Sequence, residues 1–449
     1  MKKIACAIFS IGVVLGFISC NWQIPETVSV KTNAEYNFSI GTFQKDLSES
    51  MNLSSMMGDS GSGTGDIKKY DYFPGQSDKN TQHFLLEVKV TEFELLAAQS
   101  EDAVNAAFPD ASSISLDSLS STMGAHTSLG DGNKCLEFNP SEILSGMKSA
   151  LGEEMADKIS FASVPVYLYC EAPENITATA GISVFYDVND TCANKKGEVE
   201  LLEPTNHPLN TPKPAFPDDG STVTTNLEST VCLSRTDITK LINGKEADGT
   251  ALSLTENDKL YVSYSFDTIG GTVTKQEIVD GLKLTLYAVI DMPLRFKVSS
   301  DEDVILDLTK MTKGDGSSSS GSSDPQSSGS ENEKLSEYLK VIDSIDIRYV
   351  AYQLPMYSQS GMKLGFDLLG GTDYQWESIS VKPKGTSIES GSKFSLKQET
   401  VVNMKDLGNF NPSIKLKMEK GSIFSIPREK AVEMKIEMGL KTNGAVKVM

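Results

Sequence analysis

A partial internal repeat constrains this 449-residue chain more than any other feature of it. The stretch from Cys135 to Lys148 parallels the stretch from Cys232 to Lys245. Each reads as a short strand bearing Cys-Leu that runs into a helix, and each helix ends near a glycine followed by a lysine, as a C-terminal cap requires. Asn139 or Ser141 caps the first helix, and Thr236 or Asp237 the second. Farther on, Asp157-Lys158-Ile159 matches Asp258-Lys259-Leu260, and each triplet opens a strand, Ile159 to Tyr169 and Leu260 to Phe266. A further strand starts at Gly181 in one copy and Gly281 in the other, 24 and 23 residues after the aspartate. The chain therefore holds two units of the order strand, helix, strand, strand, unit A over 131–203 and unit B over 223–313.

Punctuation divides the rest. Pro204, Pro208, Pro212, Pro214 and Pro217 crowd the segment between the units, so residues 204–222 are expected to be a stiff, extended connector. Residues 314–333 are almost wholly Gly, Ser, Asp and Glu, the composition of a disordered linker, and residues 48–65 form a smaller Gly/Ser-rich one. The region 20–130 contains strands: a pair over Ile24 to Phe43 with a turn near Lys31 to Ala34, and an alternating run from Leu86 to Phe93. The region 334–449 is expected to be antiparallel β, with period-two runs at Ile345 to Tyr349, Met362 to Leu368, Ile414 to Met418 and Val432 to Leu440. A three-residue loop, Thr442-Asn443-Gly444, predicts a closing hairpin with Leu440 opposite Val446. The expected fold class is β-rich α+β, with antiparallel sheets.

Charge narrows the partners. Against 41 Lys and Arg stand 61 Asp and Glu, a net charge of −20, which excludes a sequence-independent grip on nucleic acid. The imbalance is local: residues from Lys334 onward carry 17 basic and 13 acidic groups, the preceding ones 24 and 48.

The N-terminus supplies an address. Lys2 and Lys3 precede an apolar run from Ile4 to Ile18, too short to span a bilayer, so residues 1–19 read as a signal peptide. Phe17-Ile18-Ser19-Cys20 resembles the lipobox of bacterial lipoproteins, in the relaxed form of spirochaetes, with Phe17 where Leu is usual. The resemblance implies that Cys20 carries a diacylglycerol and an N-acyl chain, and that the protein is held at the cell envelope, at the outer membrane. Cys135, Cys170, Cys192 and Cys232 then remain, an even set in an exported chain and thus disulfide candidates with three connectivities. Their places in the repeat favour 135 with 232 and 170 with 192.

The search for chemistry ends mostly in absences. No Gly-x-Ser-x-Gly, phosphate loop, HExxH or dinucleotide fingerprint occurs, and no zinc spacing links His83, His126 and His207 to cysteines. Ser-x-x-Lys occurs at Ser145, Ser360 and Ser390 without its companion motifs. Asp187, Asn189, Thr191 and Glu198 match four calcium-loop positions, but Cys192 stands where the turn demands Gly, so an ordinary acidic loop is expected. Pairs such as Asp218 and Asp219, or Asp343 and Asp346, do not stand out as acid and base. Trp22 and Trp376, with Tyr167, Tyr169, Tyr186, Tyr261, Tyr264 and Tyr287, suit a sugar or partner platform, but strand aromatics are expected to be core. The expectation is a non-catalytic, membrane-anchored envelope protein without cofactor that binds a protein or matrix partner or serves as a surface component. The alternatives are a carrier of lipid or another hydrophobic ligand, and a hydrolase without a recognisable motif.

Overall fold

The computed structural model describes residues 28–29, 35–46, 67–74, 81–136, 158–189, 191–217, 222–246, 249–300, 302–307, 342–353, 358–367, 375–381, 413–426, 431–442 and 447–448. The helix expected after Cys135 and the segments 48–65 and 314–333 lie outside these residues. The chain forms two compact units: a terminal one, made of residues 1–49, 157–159 and 297–449, and a central one, made of residues 50–156 and 160–296.

In chain order, β1 (Val28–Ser29) and β2 (Glu35–Asp46) belong to the terminal unit. The central unit follows with β3 (Ile67–Tyr72), β4 (His83–Leu96), α1 (Glu101–Ala107), β5 (Ile114–Ser115), α2 (Leu116–Met123) and β6 (Gly130–Leu136). After β7 (Ile159–Phe161) come β8 (Pro165–Glu171), β9 (Asn175–Asp187), β10 (Lys196–Pro208), β11 (Ser234–Asp237), α3 (Thr239–Ile242), β12 (Lys259–Val273), α4 (Lys275–Asp280) and β13 (Leu282–Pro293). Beyond β14 (Arg295–Val298) the terminal unit resumes with β15 (Val304–Asp307), β16 (Ile342–Gln353), β17 (Ser358–Asp367), β18 (Gln375–Val381), β19 (Ser413–Met418), β20 (Ile423–Ser425), β21 (Ala431–Thr442) and β22 (Lys447–Val448). The fold is β-rich α+β with antiparallel sheets, as the alternation predicts.

The terminal unit contains a β15-β19-β17-β18 sheet and a β16-β21-β2 sheet. Two sequence expectations fail there for one reason. β21 is already paired on both edges, by β16 and β2, so it has no edge left for the expected hairpin. β22 pairs instead with β1, Val448 opposite Val28, and β1 and β2 likewise find partners elsewhere than each other.

The central unit is two sheets, and the segments expected to form units A and B exchange strands to build them. β12 of unit B lies between β6 and β9 of unit A, while β8 of unit A lies between β11 and β13 of unit B. Each segment thus supplies the middle strand of a sheet whose flanking strands come from the other. β10 extends the first sheet beside β9, and β4 and β3 extend the second beside β13. Alternation assigns the inner faces. Val166, Leu168 and Cys170 of β8 and Leu284, Leu286, Ala288 and Ile290 of β13 are buried on one sheet, and Ile176, Ala178, Ala180, Leu260, Val262 and Phe266 on the other. Phe93 of β4 joins the layers, its ring 5.5 Å from that of Tyr264 and 5.7 Å from that of Phe266.

Local chemistry agrees with the elements. Ser100 and Ser115 cap α1 and α2, and Thr274 with Glu277 forms a capping box on α4. Of the two cap candidates in unit B, Thr236 is in β11, and the Asp237 carboxylate accepts the Thr239 N–H at 2.7 Å. The strand expected from Ile159 to Tyr169 is interrupted at residues 162–164. The proline-rich segment also departs from expectation, since β10 runs through Pro204 to Pro208. Proline is tolerated because β10 is an edge strand, and Pro204 falls at a register shift between Leu202 and Thr205.

β12 turns on Gly271, which has φ of +118° and sits opposite Ile176. A Cβ there would collide with the Asn175 carbonyl oxygen, so both conformation and space demand glycine. Gly271→Ala is expected to cost about 2 kcal/mol or more in denaturant unfolding, because it strains the strand that holds one sheet together. An unchanged unfolding midpoint would show that the β12 to β9 contact gives way at no cost.

Candidate functional site

The outward face of the β10-β9-β12-β6 sheet is built from small and polar side chains. Because Leu260, Val262 and Phe266 point inward, Ser263 and Ser265 point outward. Ser263 is opposite Asn133 on β6 and Ser183 on β9, and Ser183 is opposite Glu200 on β10, so four polar residues form one row across four strands. Two residues along, Ser265 is opposite Asp131 and Gly181. At Gly181 a Cβ would lie 3.1 Å from Ser265 Oγ and 3.4 Å from Pro204 Cβ, so the close approach of these two side chains favours glycine there. Short side chains in the middle and the loop after β9 at one side make a groove of about 820 Å³, walled by Thr191, Cys192, Lys195, Glu198, Pro204 and Asp267.

Four carboxylates border this groove, Asp131, Glu198, Glu200 and Asp267, with Lys195 as the cation among its lining residues. Lys195 Nζ is 2.7 Å from Glu198 Oε1 and 4.5 Å from the centre of the Phe185 ring. Ser183 donates its hydroxyl to the same carboxylate oxygen at 2.7 Å and lies 3.0 Å from Ser263 Oγ. Partial burial pushes the Glu198 carboxyl upward, but the hydrogen bonds from Lys195 and Ser183 outweigh it and hold the group below its ordinary range. Glu198 is therefore a poor base at neutral pH, and the Ser183 hydroxyl beside it is oriented without being activated.

The structure disperses the other residues singled out in the sequence. Asp187 does not face an ion site: its buried carboxylate accepts the N–H groups of Val188 at 2.6 Å, Asn189 at 3.3 Å and Asn194 at 2.7 Å, closing the loop after β9. Asn189 Oδ1 accepts the Thr191 N–H at 3.1 Å. Among the described residues no group of three or more His, Cys, Asp or Glu could hold a metal ion. Lys363, in one of the Ser-x-x-Lys pairs, bonds Glu419 at 2.5 Å, which raises its ammonium pKa and makes it unfit as a base. Tyr167, Tyr169, Tyr186 and Tyr261 are buried, and the Tyr264 ring lies across Gly132, where a Cβ would strike it. Cys20, Trp22, Asp218, Asp219, Ser145 and Ser390 lie outside the described residues.

The cysteine pairings are corrected. The structure contains no disulfide among Cys135, Cys170, Cys192 and Cys232. Strand exchange places Cys135 on β6 and Cys232 beside β11, in different sheets, so equivalence in the repeat keeps them apart. Cys170 is buried in the middle strand of its sheet, and Cys192 is in the loop after β9 of the other.

A buried polar layer escaped the sequence reading. On the outer face of the second sheet, His83 Nδ1 lies 2.9 Å from Asp291 Oδ1, and both residues are 5% exposed. Nearby, Tyr70 donates its hydroxyl to Glu87 at 3.0 Å, and Lys213 Nζ lies 3.4 Å from the same carboxylate. The proline-rich segment and its continuation cover this face. Thr211 and Cys170 exchange backbone hydrogen bonds, Phe216 packs on Tyr70, Val223 bridges to Tyr72, and the Leu227 N–H donates to the Tyr72 hydroxyl at 3.2 Å. His83 and Asp291 are 208 positions apart, so no local pattern announces the pair.

No protein-family model and no curated protein matches this chain. Among solved structures, a protein from Parabacteroides distasonis described as secreted is similar at 10% identity, covering 90% of this chain and 99% of that one, with a TM-score of 0.31. Merkel cell polyomavirus VP1 in complex with disialyllactose is similar at 8% identity, covering 61% and 99%, with a TM-score of 0.10. Likeness at these scores falls short of a shared fold.

Burial ranks the thiols. It pushes the Cys170 pKa up to about 12 and that of half-buried Cys232 upward as well. In folded protein, iodoacetamide is expected to spare Cys170 while modifying Cys192 at the groove wall, and unfolding without reductant should make all four thiols reactive. Mass spectrometry of the peptides decides it, and a cystine or a labelled Cys170 in the native state would refute the arrangement.

Proposed function

We propose that this chain is an exported envelope protein, lipid-anchored through Cys20, that binds a partner without turnover through the polar groove of its central unit. The groove itself carries the reading. It gathers hydroxyls and carboxylates around a trough, yet its serine leans on a carboxylate held ionised by a lysine, and no histidine is among its lining residues. The basic n-region, short apolar run and Ser19-Cys20 support the anchor. Among the described residues no helix is long and apolar enough to cross a membrane. An open trough lined by serine, asparagine and carboxylates also favours a polar partner over the acyl chains a lipid carrier would enclose.

Metabolic labelling with palmitate is expected to tag the protein, and Cys20→Ser to abolish the label and release the chain from membranes. Incubation of the full chain with ester, peptide, glycoside and phosphoester panels is expected to give no product. Label retained in Cys20→Ser would remove the anchor from the proposal, and turnover lost on Ser183→Ala would remove its non-catalytic half.

A further inference from the structure

Resting on that reading of the groove, we propose that its ligand is a linear glycan free of anionic groups. The register supplies the first argument. Asn133, Ser263, Ser183 and Glu200 follow one another across four strands, and with neighbouring strands about 4.8 Å apart the row spans roughly 14 Å. Asp131 and Ser265 begin a second row roughly 7 Å away along the strands. The result is one full row of four hydrogen-bonding groups and a shorter one of two, at spacings comparable to the length of one sugar ring.

Chemistry supplies the second argument. A sugar hydroxyl both donates and accepts; serine hydroxyls and the Asn133 amide do the same, and each carboxylate accepts from two neighbouring hydroxyls. Gly181, without a side chain, keeps the middle of the trough low, where a ring crossing β9 would lie on the strand.

Charge selects among glycans. Four carboxylates, Asp131, Glu198, Glu200 and Asp267, line the groove with one lysine, Lys195, which is already committed to Glu198, so a polymer bearing carboxylate or sulfate groups is repelled. A basic peptide would satisfy the charge but not the serine row, and an extended peptide is bound by adding to a strand edge, whereas these residues lie on a face.

The test uses the full chain in detergent micelles, titrated calorimetrically with cellohexaose, a chitosan hexamer, hexagalacturonate and octalysine. Saturable binding of either non-anionic hexasaccharide is expected, persisting in about 0.5 M salt, where exposed charge pairs are screened. Ser263→Tyr, which fills the trough, should weaken it about tenfold or more, and so should Glu200→Ala at the exposed rim, where folding is not at stake. Binding confined to octalysine and lost in salt, preference for hexagalacturonate, no binding by any probe, or affinity unchanged in both variants would each overturn the glycan assignment. Bound hexasaccharide released as shorter fragments would instead uphold the ligand class and overturn the non-catalytic reading, so the two failures are distinguishable.

Discussion

The central unit depends on two middle strands that are each paired by the opposite half of the chain. β12 is bonded on one side to β9 over the span from Lys259 to Thr272 and on the other to β6 from Leu260 to Phe266; β8 has β11 and β13 beside it. Removing either segment would therefore leave the other with a long strand whose backbone N–H and C=O groups have no partner, a state that costs more than any single side-chain contact here contributes. The inner faces follow from that pairing. Once β12 is centred, its alternation fixes which residues meet Phe93 and which line the groove.

Much of this was legible one strand at a time. Period-two runs located β16, β17, β19 and β21, and the Gly281 strand emerged as β13, because alternation is a local consequence of one dry and one wet face. Pairing was not legible. That β21 has both edges occupied, so that Asn443-Gly444 cannot close a hairpin onto it, depends on β2 nearly 400 positions earlier in the sequence. The repeat pointed to two similar units, and similarity carries no information on whether strands pair within a unit or between them. The cysteine connectivity went wrong at that step, since equivalence suggested proximity where exchange produces opposite sheets.

The groove and the buried polar layer were hidden for different reasons. Ser183, Ser263 and Ser265 alternate with apolar residues and read simply as wet positions; only the register aligns them with Asn133 and Glu200. The His83 and Asp291 pair and the Glu87, Tyr70 and Lys213 cluster lie beneath a segment whose prolines suggested a spacer. That segment instead lies against the sheet through Thr211, Phe216 and Val223, and its prolines suit it to running along a surface without claiming a place in a ladder.

Strand exchange also sets a timetable. A chain delivered from its N-terminus presents β6, β8, β9 and β10 first, and of these only β9 and β10 can pair with each other at once. β6 must wait for β12, which ends at Val273, and β8, which can take β11 by Asp237, fills its second edge only with β13, which ends at Pro293, so strand edges stay open while well over a hundred residues follow. Such an intermediate invites, at high expression, association between newly made chains. In the finished molecule the same interlocking works in the opposite sense: a protease that nicks the chain between the halves leaves each still bound to the other by sheet hydrogen bonds on both sides of its middle strand.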